Sequence, residues 1–429
     1  MKLAVVLLVG LAGVVPPQCI SHNDTLALPS SPDLAHITPF GVDLFKELNP
    51  TGTTSNFFFS PYSIWNSLVL AYFGSSGGTR QQLQKVLRLG DPAHTLATYR
   101  ALSHLYAERQ ANTSDYVIDL ANRVYVDEKF PLRECVKGVL FQEVQAIDFG
   151  QAEEAAARIN QLVNETTRGK IPELVTARDV SGVPMVLVNA AYFKGLWSNA
   201  FEASETVPEK FFSSPDQHTF VPMMKLISAF KIGESEELGA TVLEMPYKGK
   251  AASMFVLLPY TTVTTTRVDD TTANNTTTAC NATTGKATTP LDAMLLRLTS
   301  DTLRTGLASR EKQEVELQLP KFKLEQTIIN ELVDALQRQG IKDLFTSNAD
   351  LTIYDPSGRL RVSKGIHKAV VEVNEEGSEA AAGTGLIVTF SLPPKPKKFV
   401  CNHPFVFLIQ DNHTNNILFL GVYRKPQID

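Results

Sequence analysis

The chain has 429 residues, of which 43% are hydrophobic and 8% aromatic, and its formal net charge at pH 7 is −5. This length and apolar content are sufficient for a large core, in one large domain or in two or three smaller ones. The acidic balance and the absence of a long basic run argue against a nucleic-acid partner.

The N-terminus has the pattern of a secretory signal peptide. Met1–Val15 carries one early lysine, Lys2, followed by a short apolar run. Such a run is too short to span a bilayer. We place the signal peptide at about residues 1–19. No later stretch is long and apolar enough to cross a membrane, so the sequence predicts a secreted, extracellular protein without a membrane partner.

The early part of the chain is predicted to be mainly helical, because its apolar residues recur with helical periodicity. Ser60 at a cap position and Pro61 in the first turn suit a helix start. Helices are expected at Phe40–Leu48, Ser60–Tyr72, Thr79–Leu89, Thr95–Arg109, Leu132–Val144 and Ala152–Val163, and strands at Phe57–Phe59 and Tyr116–Val126.

One glycine-rich stretch, Gly74–Gly78, has the form of the G-x-S-x-G nucleophile elbow. That motif requires a strand before it and a helix after it. A helix precedes it here, so the stretch is interpreted as a turn between two helices. A secreted hydrolase is the enzyme alternative, and it would need a catalytic triad that we do not find in the sequence. We therefore expect no enzymatic activity.

The later part of the chain is richer in strands. Val183–Phe193 is a nearly continuous apolar run, as expected of a central strand buried on both faces. Further strands are predicted at Phe220–Phe230, Ala240–Met245, Ser253–Leu258, Val315–Leu324, Phe405–Ile409 and Ile417–Val422, and one helix at Thr327–Gln337. Helices early and strands late indicate an α+β fold rather than repeating βαβ units.

A threonine-rich insertion interrupts this pattern at residues 261–290. Fourteen of its thirty residues are threonine, a composition that cannot contribute a core. It also carries three of the seven Asn-x-Ser/Thr sequons, which are typical glycosylation sites on exposed loops of secreted proteins. The sequons are at Asn23, Asn112, Asn164, Asn274, Asn275, Asn281 and Asn412.

The four cysteines are at positions whose spacing fits neither a disulfide framework nor a zinc site. They are Cys19, Cys135, Cys280 and Cys401. Isolated or singly paired cysteines are the simplest interpretation. The sequence indicates neither a metal nor another cofactor.

The most unusual stretch lies between Ser378 and Pro394 and carries one charge, Glu379. Its first half is nearly all Ala, Gly, Ser and Thr, and its second half contains the apolar run Leu386–Phe390. With a period of two, Ser378 and every second residue after it as far as Val388 are small or apolar, and Glu379 falls on the other side. Such a segment can lie outside as a loop and later enter a sheet without burying a charge. A flexible linker is the alternative, and residue types alone leave both open.

Several segments resemble the serpin family. Glu375–Ala382 is similar to the hinge of the reactive-centre loop of inhibitory serpins, and His403–Ile409 is similar to the segment that follows that loop. Other similar segments follow in the family's order, at Ser60–Ile64, Asn189–Trp197, Leu243–Tyr247, Leu319–Lys323, Gly340–Phe345 and Ile366–Ala369. The resemblance implies one serpin domain at 35–429, with three sheets, eight or nine helices and an exposed loop. The threonine-rich insertion departs from the family pattern.

The resemblance also implies a function. Inhibitory serpins act as suicide substrates that trap a target serine protease in a covalent complex, as the cleaved loop inserts into the main sheet. The hinge residues would be Glu375, Glu376, Gly377, Ser378, Glu379, Ala380, Ala381 and Ala382. A non-inhibitory serpin that acts as carrier or chaperone is the alternative, but such proteins usually have bulky, charged or proline residues at inward hinge positions. A monomer is the family's usual state.

The resemblance assigns further residues to the sheet. Ser60, Ser63, Asn189 and His367 would form a polar gate at its centre, and Trp197 would lie at the top, where insertion begins. None of them is expected to be catalytic.

The position of the cleaved bond has two main alternatives. The commonest family spacing, counted from Gly377, places it at Ser391–Leu392, and alignment on the following proline pair places it at Phe390–Ser391. Phe390 before the bond predicts a chymotrypsin-like target, and Ser391 an elastase-like one. Leu392 before the bond is a third option.

Overall fold

A computed structural model describes residues 34, 37–112, 116–261, 289–376 and 395–426. The predicted signal peptide, nearly all of the threonine-rich insertion, the hinge residues Gly377–Ala382 and the candidate bond residues Phe390–Leu392 lie outside the described residues.

The described ranges contain ten α-helices and fourteen strands. The helices are α1 Thr38–Leu48, α2 Pro61–Gly74, α3 Gly77–Leu87, α4 Pro92–Asn112, α5 Glu134–Val139, α6 Ala152–Thr166, α7 Ala177–Val180, α8 Pro290–Arg297, α9 Ser300–Ala308 and α10 Asn330–Gln339. The strands are β1 Phe57–Phe59, β2 Tyr116–Asp127, β3 Val144–Ile147, β4 Met185–Gly195, β5 Val207–Ser214, β6 Gln217–Ser235, β7 Ala240–Pro246, β8 Ala252–Pro259, β9 Glu311–Pro320, β10 Phe322–Ile328, β11 Lys364–Val373, β12 Lys397–Val400, β13 Phe405–Asp411 and β14 Ile417–Tyr423.

Five strands form one sheet in the order β10-β11-β4-β2-β3. The central strand β4 runs parallel to its neighbour β11, and Lys364–Val371 of β11 lies opposite Val186–Phe193 of β4. The outer neighbours of this pair, β2 and β10, are antiparallel to β4 and β11 respectively. We call the boundary between β4 and β11 the seam.

The other nine strands are connected through β6, which has 19 residues. Its first part pairs with β5, its middle part with β9 and its last part with β7. The strand therefore joins two sheets, one that ends at β12 and one that continues through β7, β8, β13 and β14 to β1. Together with the five-stranded sheet this gives three sheets in an α+β fold.

The main core lies between the sheets and surrounds α2. All fourteen residues of α2 are buried, and the helix contacts β2 and β4 on one side and β14 on the other. The Ser60 side chain accepts a hydrogen bond from the N–H of Ser63 and caps this helix, as expected from the sequence. On the outer face of the five-stranded sheet, α6 contacts β2, and its residues Ile159 and Val163 belong to one buried cluster with residues of β4 and β11.

Two predicted elements were wrong in type or extent. Leu132–Val144 was expected to be one helix, but α5 covers only Glu134–Val139, and Val144 begins β3, where it pairs with β2. The predicted strand Val315–Leu324 is two strands in different sheets, because β9 ends at Pro320. Proline cannot donate to a strand ladder, so the chain changes sheets there.

Five elements had no counterpart in the prediction: β5, β12, α7, α8 and α9. The helix count exceeds the expected eight or nine because two short helices, α5 and α7, are included. The glycine-rich stretch is a turn between helices, as predicted: α2 ends at Gly74 and α3 begins at Gly77, whose φ is +50°. This left-handed conformation favours glycine.

Three further observations concern the described part of the chain. None of its helices has the length and apolar content needed to cross a membrane. None of its His, Cys, Asp and Glu side chains form a group of three or more that could hold a metal ion. Cys401 is a buried free thiol, whereas Cys135 is disulfide-bonded.

Candidate functional site

A row of polar side chains crosses the centre of the five-stranded sheet. Asn122 of β2 lies opposite Asn189 of β4, which in turn lies opposite His367 of β11. All three are buried. We call these residues the polar row. Burying a polar group costs free energy unless it is hydrogen-bonded, so each member of the row is expected to have a hydrogen-bond partner.

Two serines of α2 supply partners for the row. The Ser63 hydroxyl donates to Oδ1 of Asn122 and the Ser67 hydroxyl donates to Oδ1 of Asn189, each at 2.6 Å. Residues four apart lie on one face of a helix, about 6 Å apart along its axis. Neighbouring strands are about 4.8 Å apart, so two serines on one helix face can donate hydrogen bonds to two adjacent strands.

His367 is the member of the row on β11. Its Nε2 accepts a hydrogen bond from the backbone N–H of Ser60 at 3.1 Å, which leaves the proton of the neutral ring on Nδ1. Burial lowers the pKa of His367 to about 3, so the ring is neutral at physiological pH. Nδ1 has no hydrogen-bond partner among the described residues. Among the described residues, the His367 ring is therefore hydrogen-bonded through Nε2 alone.

One side-chain contact of the row crosses the seam. Nδ2 of Asn189 donates to the backbone oxygen of Ile366 on β11 at 3.4 Å. Asn122 and Ser67 were not among the residues predicted for this group. A signal was available for Ser67, which lies one helical turn after Ser63.

Replacing Asn189 with alanine is expected to lower the free energy of unfolding of the uncut protein by about 2 kcal/mol, since the buried Ser67 hydroxyl loses its acceptor. The first transition in guanidinium chloride, followed by tryptophan fluorescence, measures this change. Ser67→Ala and the double variant complete a cycle with an expected coupling of about 1 kcal/mol. Simple additivity of the two single effects would contradict a direct Ser67–Asn189 interaction.

The outer face of the seam is crossed by the segment that joins α6 to β4. Two lysines of β11 bind it: Lys364 contacts the carboxylate of Asp179 at 2.9 Å, and Lys368 donates to the backbone oxygen of Glu173 at 3.2 Å. Burial would raise the pKa of Asp179, but hydrogen bonds from Lys364 and Thr176 outweigh it and the pKa is lowered. β11 therefore cannot move away from β4 without disturbing these contacts.

The end of the seam that follows β11 is closed by residues 374–376. The indole Nε1 of Trp197 donates to the backbone oxygen of Asn374 at 2.8 Å, and its backbone N–H donates to that of Glu376 at 3.1 Å. The indole stacks on Tyr247 with ring centroids 4.5 Å apart. Trp197 lies eight residues beyond Asn189, so it belongs to this end and not to the polar row.

Ion pairs fix two of these three residues. Glu375 contacts Lys321 at 2.8 Å and accepts a hydrogen bond from the hydroxyl of Thr206 at 3.0 Å. Glu376 pairs with Lys194 of β4. Burial would raise the pKa of Glu375, but the contacts with Lys321 and Thr206 outweigh it and the pKa is lowered. The first two hinge residues are therefore anchored to both sides of the seam.

Replacing Glu375 with glutamine is expected to lower the thermal midpoint of the uncut protein by about 2 °C at pH 7, because a charge-assisted hydrogen bond is lost. A carboxylate with a lowered folded-state pKa stabilises the fold above its unfolded-state pKa and loses that contribution as pH falls. The difference between wild type and variant should therefore be constant at neutral pH and begin to shrink as the pH falls below about 4.3, the ordinary pKa of a glutamate. Calorimetry from pH 7 to 3.5 tests this.

Glu376→Gln serves as the control, since its carboxylate is more exposed, at 54% against 15% for Glu375. Its effect should be smaller because solvent screens the ion pair. Equal effects of the two variants, or a Glu375 effect that does not change with pH, would contradict the assigned contacts.

The predicted sequons are placed differently in the fold. Asn412 is exposed, although its amide donates to the backbone oxygen of Lys250 and to the Ser253 hydroxyl. Asn164 is half-buried on α6, and Asn112 is the last residue of α4. The side chain of Asn112 and the sequons at Asn23, Asn274, Asn275 and Asn281 lie outside the described residues.

Comparison with known proteins agrees with this architecture. The family described as "Serpin (serine protease inhibitor)" matches residues 35–426. A leukocyte elastase inhibitor of Sus scrofa is 35% identical over 395 residues, which are 91% of this chain and 98% of that protein. A protein named Iris of Ixodes ricinus is 36% identical over 400 residues, with the same coverage.

Among solved structures, uncleaved ovalbumin matches with a TM-score of 0.76 and 27% identity, over 91% of this chain and 99% of ovalbumin. The family match covers the seam, the polar row and both ends of the segment between β11 and β12. The chain therefore belongs to the serpin family of serine protease inhibitors.

Proposed function

We propose that the protein is a secreted suicide-substrate inhibitor of a chymotrypsin- or elastase-like serine protease. The observation that carries this proposal is the seam: two parallel strands whose shared end holds the start of the candidate loop. Residues 377–394 connect this end to β12, which lies at the edge of another sheet. The loop residues 377–394 support this proposal through their sequence alone.

The direction of the strands favours insertion at the seam. A chain that turns back after β11 runs antiparallel to β11, and it also runs antiparallel to β4 because the two strands are parallel. One inserted strand would replace a parallel ladder by two antiparallel ladders. Antiparallel pairing is slightly more stable for each residue, so both new boundaries are favourable.

The length of the loop also suits insertion. From Gly377 to Phe390 there are 14 residues, whereas β11 has 10. The piece upstream of either candidate bond can therefore fill the whole seam. About a dozen new hydrogen bonds, each worth roughly 0.5–1.5 kcal/mol, amount to a gain on the order of 10 kcal/mol.

The protease supplies the catalytic groups of the trapping reaction. Its serine oxygen attacks the carbonyl carbon of Phe390 or Ser391, the C–N bond breaks, and the new amine leaves with a proton from the protease histidine. The ester that remains is the covalent complex. Insertion moves the attached protease before water can hydrolyse the ester. No catalytic residue of this chain takes part, and a monomer is sufficient.

The class of protease follows from the residue before the bond. Phe390 fits a deep apolar pocket and Ser391 a small one. Relatives from Sus scrofa and Bos taurus are named leukocyte elastase inhibitor, which favours the elastase-like alternative without excluding Phe390. Secretion and glycosylation rest on the N-terminal apolar run and the seven sequons. N-terminal sequencing and glycosidase treatment of protein from expression medium test them.

The proposed function is tested by incubation with chymotrypsin, elastase and trypsin, followed by denaturing gels and mass spectrometry. We expect a protease-sized upward shift that survives boiling with chymotrypsin or elastase, and a released peptide that begins at Ser391 or Leu392. Trypsin should give neither the shift nor this peptide, because no lysine or arginine immediately precedes the candidate bonds. Cleavage without a shift would show that the loop is only a substrate.

A further inference from the structure

A groove with a volume of about 650 Å³ lies beside β10, between this strand and the β5–β6 hairpin. Within the described residues, β10 pairs only with β11 and forms the edge of its sheet. The groove is lined by the first part of β6, by the start of β10 and by the end of β11 at Glu372–Asn374. Its volume is within the range of small-molecule sites, about 300–1,000 Å³.

The wall formed by the hairpin is apolar and exposed. Phe220 is 60% exposed and, among the described aromatic rings, only that of His218 lies next to it, with ring centroids 6.1 Å apart. Phe322 lies at the opposite side of the groove but is buried, and its ring packs on Tyr423 with ring centroids 4.9 Å apart. Pro222 completes the apolar surface. An exposed aromatic ring beside a concave apolar wall is typical of a binding surface.

The two acidic residues of the groove are each neutralised by a lysine outside its lining. Glu325 contacts Lys368 at 2.8 Å, and Glu372 contacts Lys170 at 3.3 Å. These acids therefore contribute little net negative charge to the groove. A cationic ligand would have to compete with both lysines.

The two lysines of the groove are not equivalent. Lys321 is paired with Glu375 of the hinge. Lys323 lies opposite Glu372 in the ladder, but its ammonium group has no ion pair or hydrogen bond among the described residues, while Glu372 is bound to Lys170. The groove and its ion-pair partners therefore carry one excess positive charge, on an exposed side chain.

We propose that this groove binds a small amphipathic monoanion, with an apolar body against Phe220 and Pro222 and a carboxylate or sulfonate at Lys323. An apolar body removes the exposed Phe220 ring from water. A single acid group matches the single unpaired ammonium. The site does not include the polar row, although Asn374 and the Lys321–Glu375 ion pair connect it to the hinge.

The test uses two fluorescent probes that share an aromatic body: 8-anilinonaphthalene-1-sulfonate, a monoanion, and N-phenyl-1-naphthylamine, which is uncharged. Both are titrated into the uncut, full-length protein. Lys323→Gln should weaken binding of the anion about tenfold and leave the neutral probe unchanged. Phe220→Ser should weaken both probes about fivefold or more.

Lys129→Gln is the matched control, because Lys129 is exposed beyond the far end of β2, away from the groove. It should change neither affinity. Added salt should weaken the anion with wild type more than with Lys323→Gln. The proposal is overturned if the anion does not bind wild type, if Lys323→Gln binds it as tightly as wild type, or if Phe220→Ser changes neither probe.

Discussion

Replacing Ser378 with arginine is expected to convert the protein from an inhibitor into a substrate of the same protease. In the proposed mechanism, Ser378 would be the first residue of the alternating series to face inward once the loop forms a strand. An arginine there would bring an unpaired charge into the buried seam, at a cost of several kcal/mol. Insertion would start late or stop, and water would hydrolyse the ester first.

We expect the fraction of protease in boiling-resistant complex to fall at least tenfold, while the rate of loop cleavage stays within about twofold. Glu379→Arg is the control, since residue 379 would face outward in the same inserted strand, away from the core. It should still trap the protease. If Ser378→Arg traps as well as wild type, the inserted strand does not have the predicted register.

A second large effect is expected from cleavage of the loop, which should raise the thermal midpoint of unfolding by about 20 °C. The gain on the order of 10 kcal/mol from a new strand is large compared with the stability of most domains. For a domain of this size each kcal/mol shifts the midpoint by about 2 °C. Calorimetry before and after limited proteolysis within residues 386–394 measures the shift.

The Ser378→Arg protein, cut at the same bond, should show a much smaller shift, because its loop inserts poorly. This variant separates insertion from the mere release of strain on cleavage. A midpoint that is unchanged or lower in cut wild-type protein would mean that the seam does not accept the loop, and the trapping mechanism would then fail.

Much of this protein is determined by local sequence. The helix starting after Ser60, the turn at Gly74–Gly78 and the buried strand Val183–Phe193 follow from capping, glycine and apolar periodicity, and the structure confirms them. These features depend on neighbours within one or two turns of the chain. The hinge motif and the alternating small residues after it likewise predict an insertable strand from sequence alone.

Other features depend on contacts between residues far apart in the chain. Nothing near Val144 shows that it pairs with β2, and Pro320 alone does not reveal that the chain changes sheets beyond it. The pairing of Ser67 with Asn189 spans 122 positions. Such contacts are selected by packing of the whole core, which local propensity does not encode.

The tertiary structure also decided how the two ends of the candidate site differ. The resemblance implied that Trp197 lies at the top of the sheet, and the fold supplies its partners there, Asn374 and Glu376. The sequence contained both Glu375 and Lys321 without indicating that they pair. Their distance is set by the register of β10 against β11, since one shifted residue would turn each side chain to the other face.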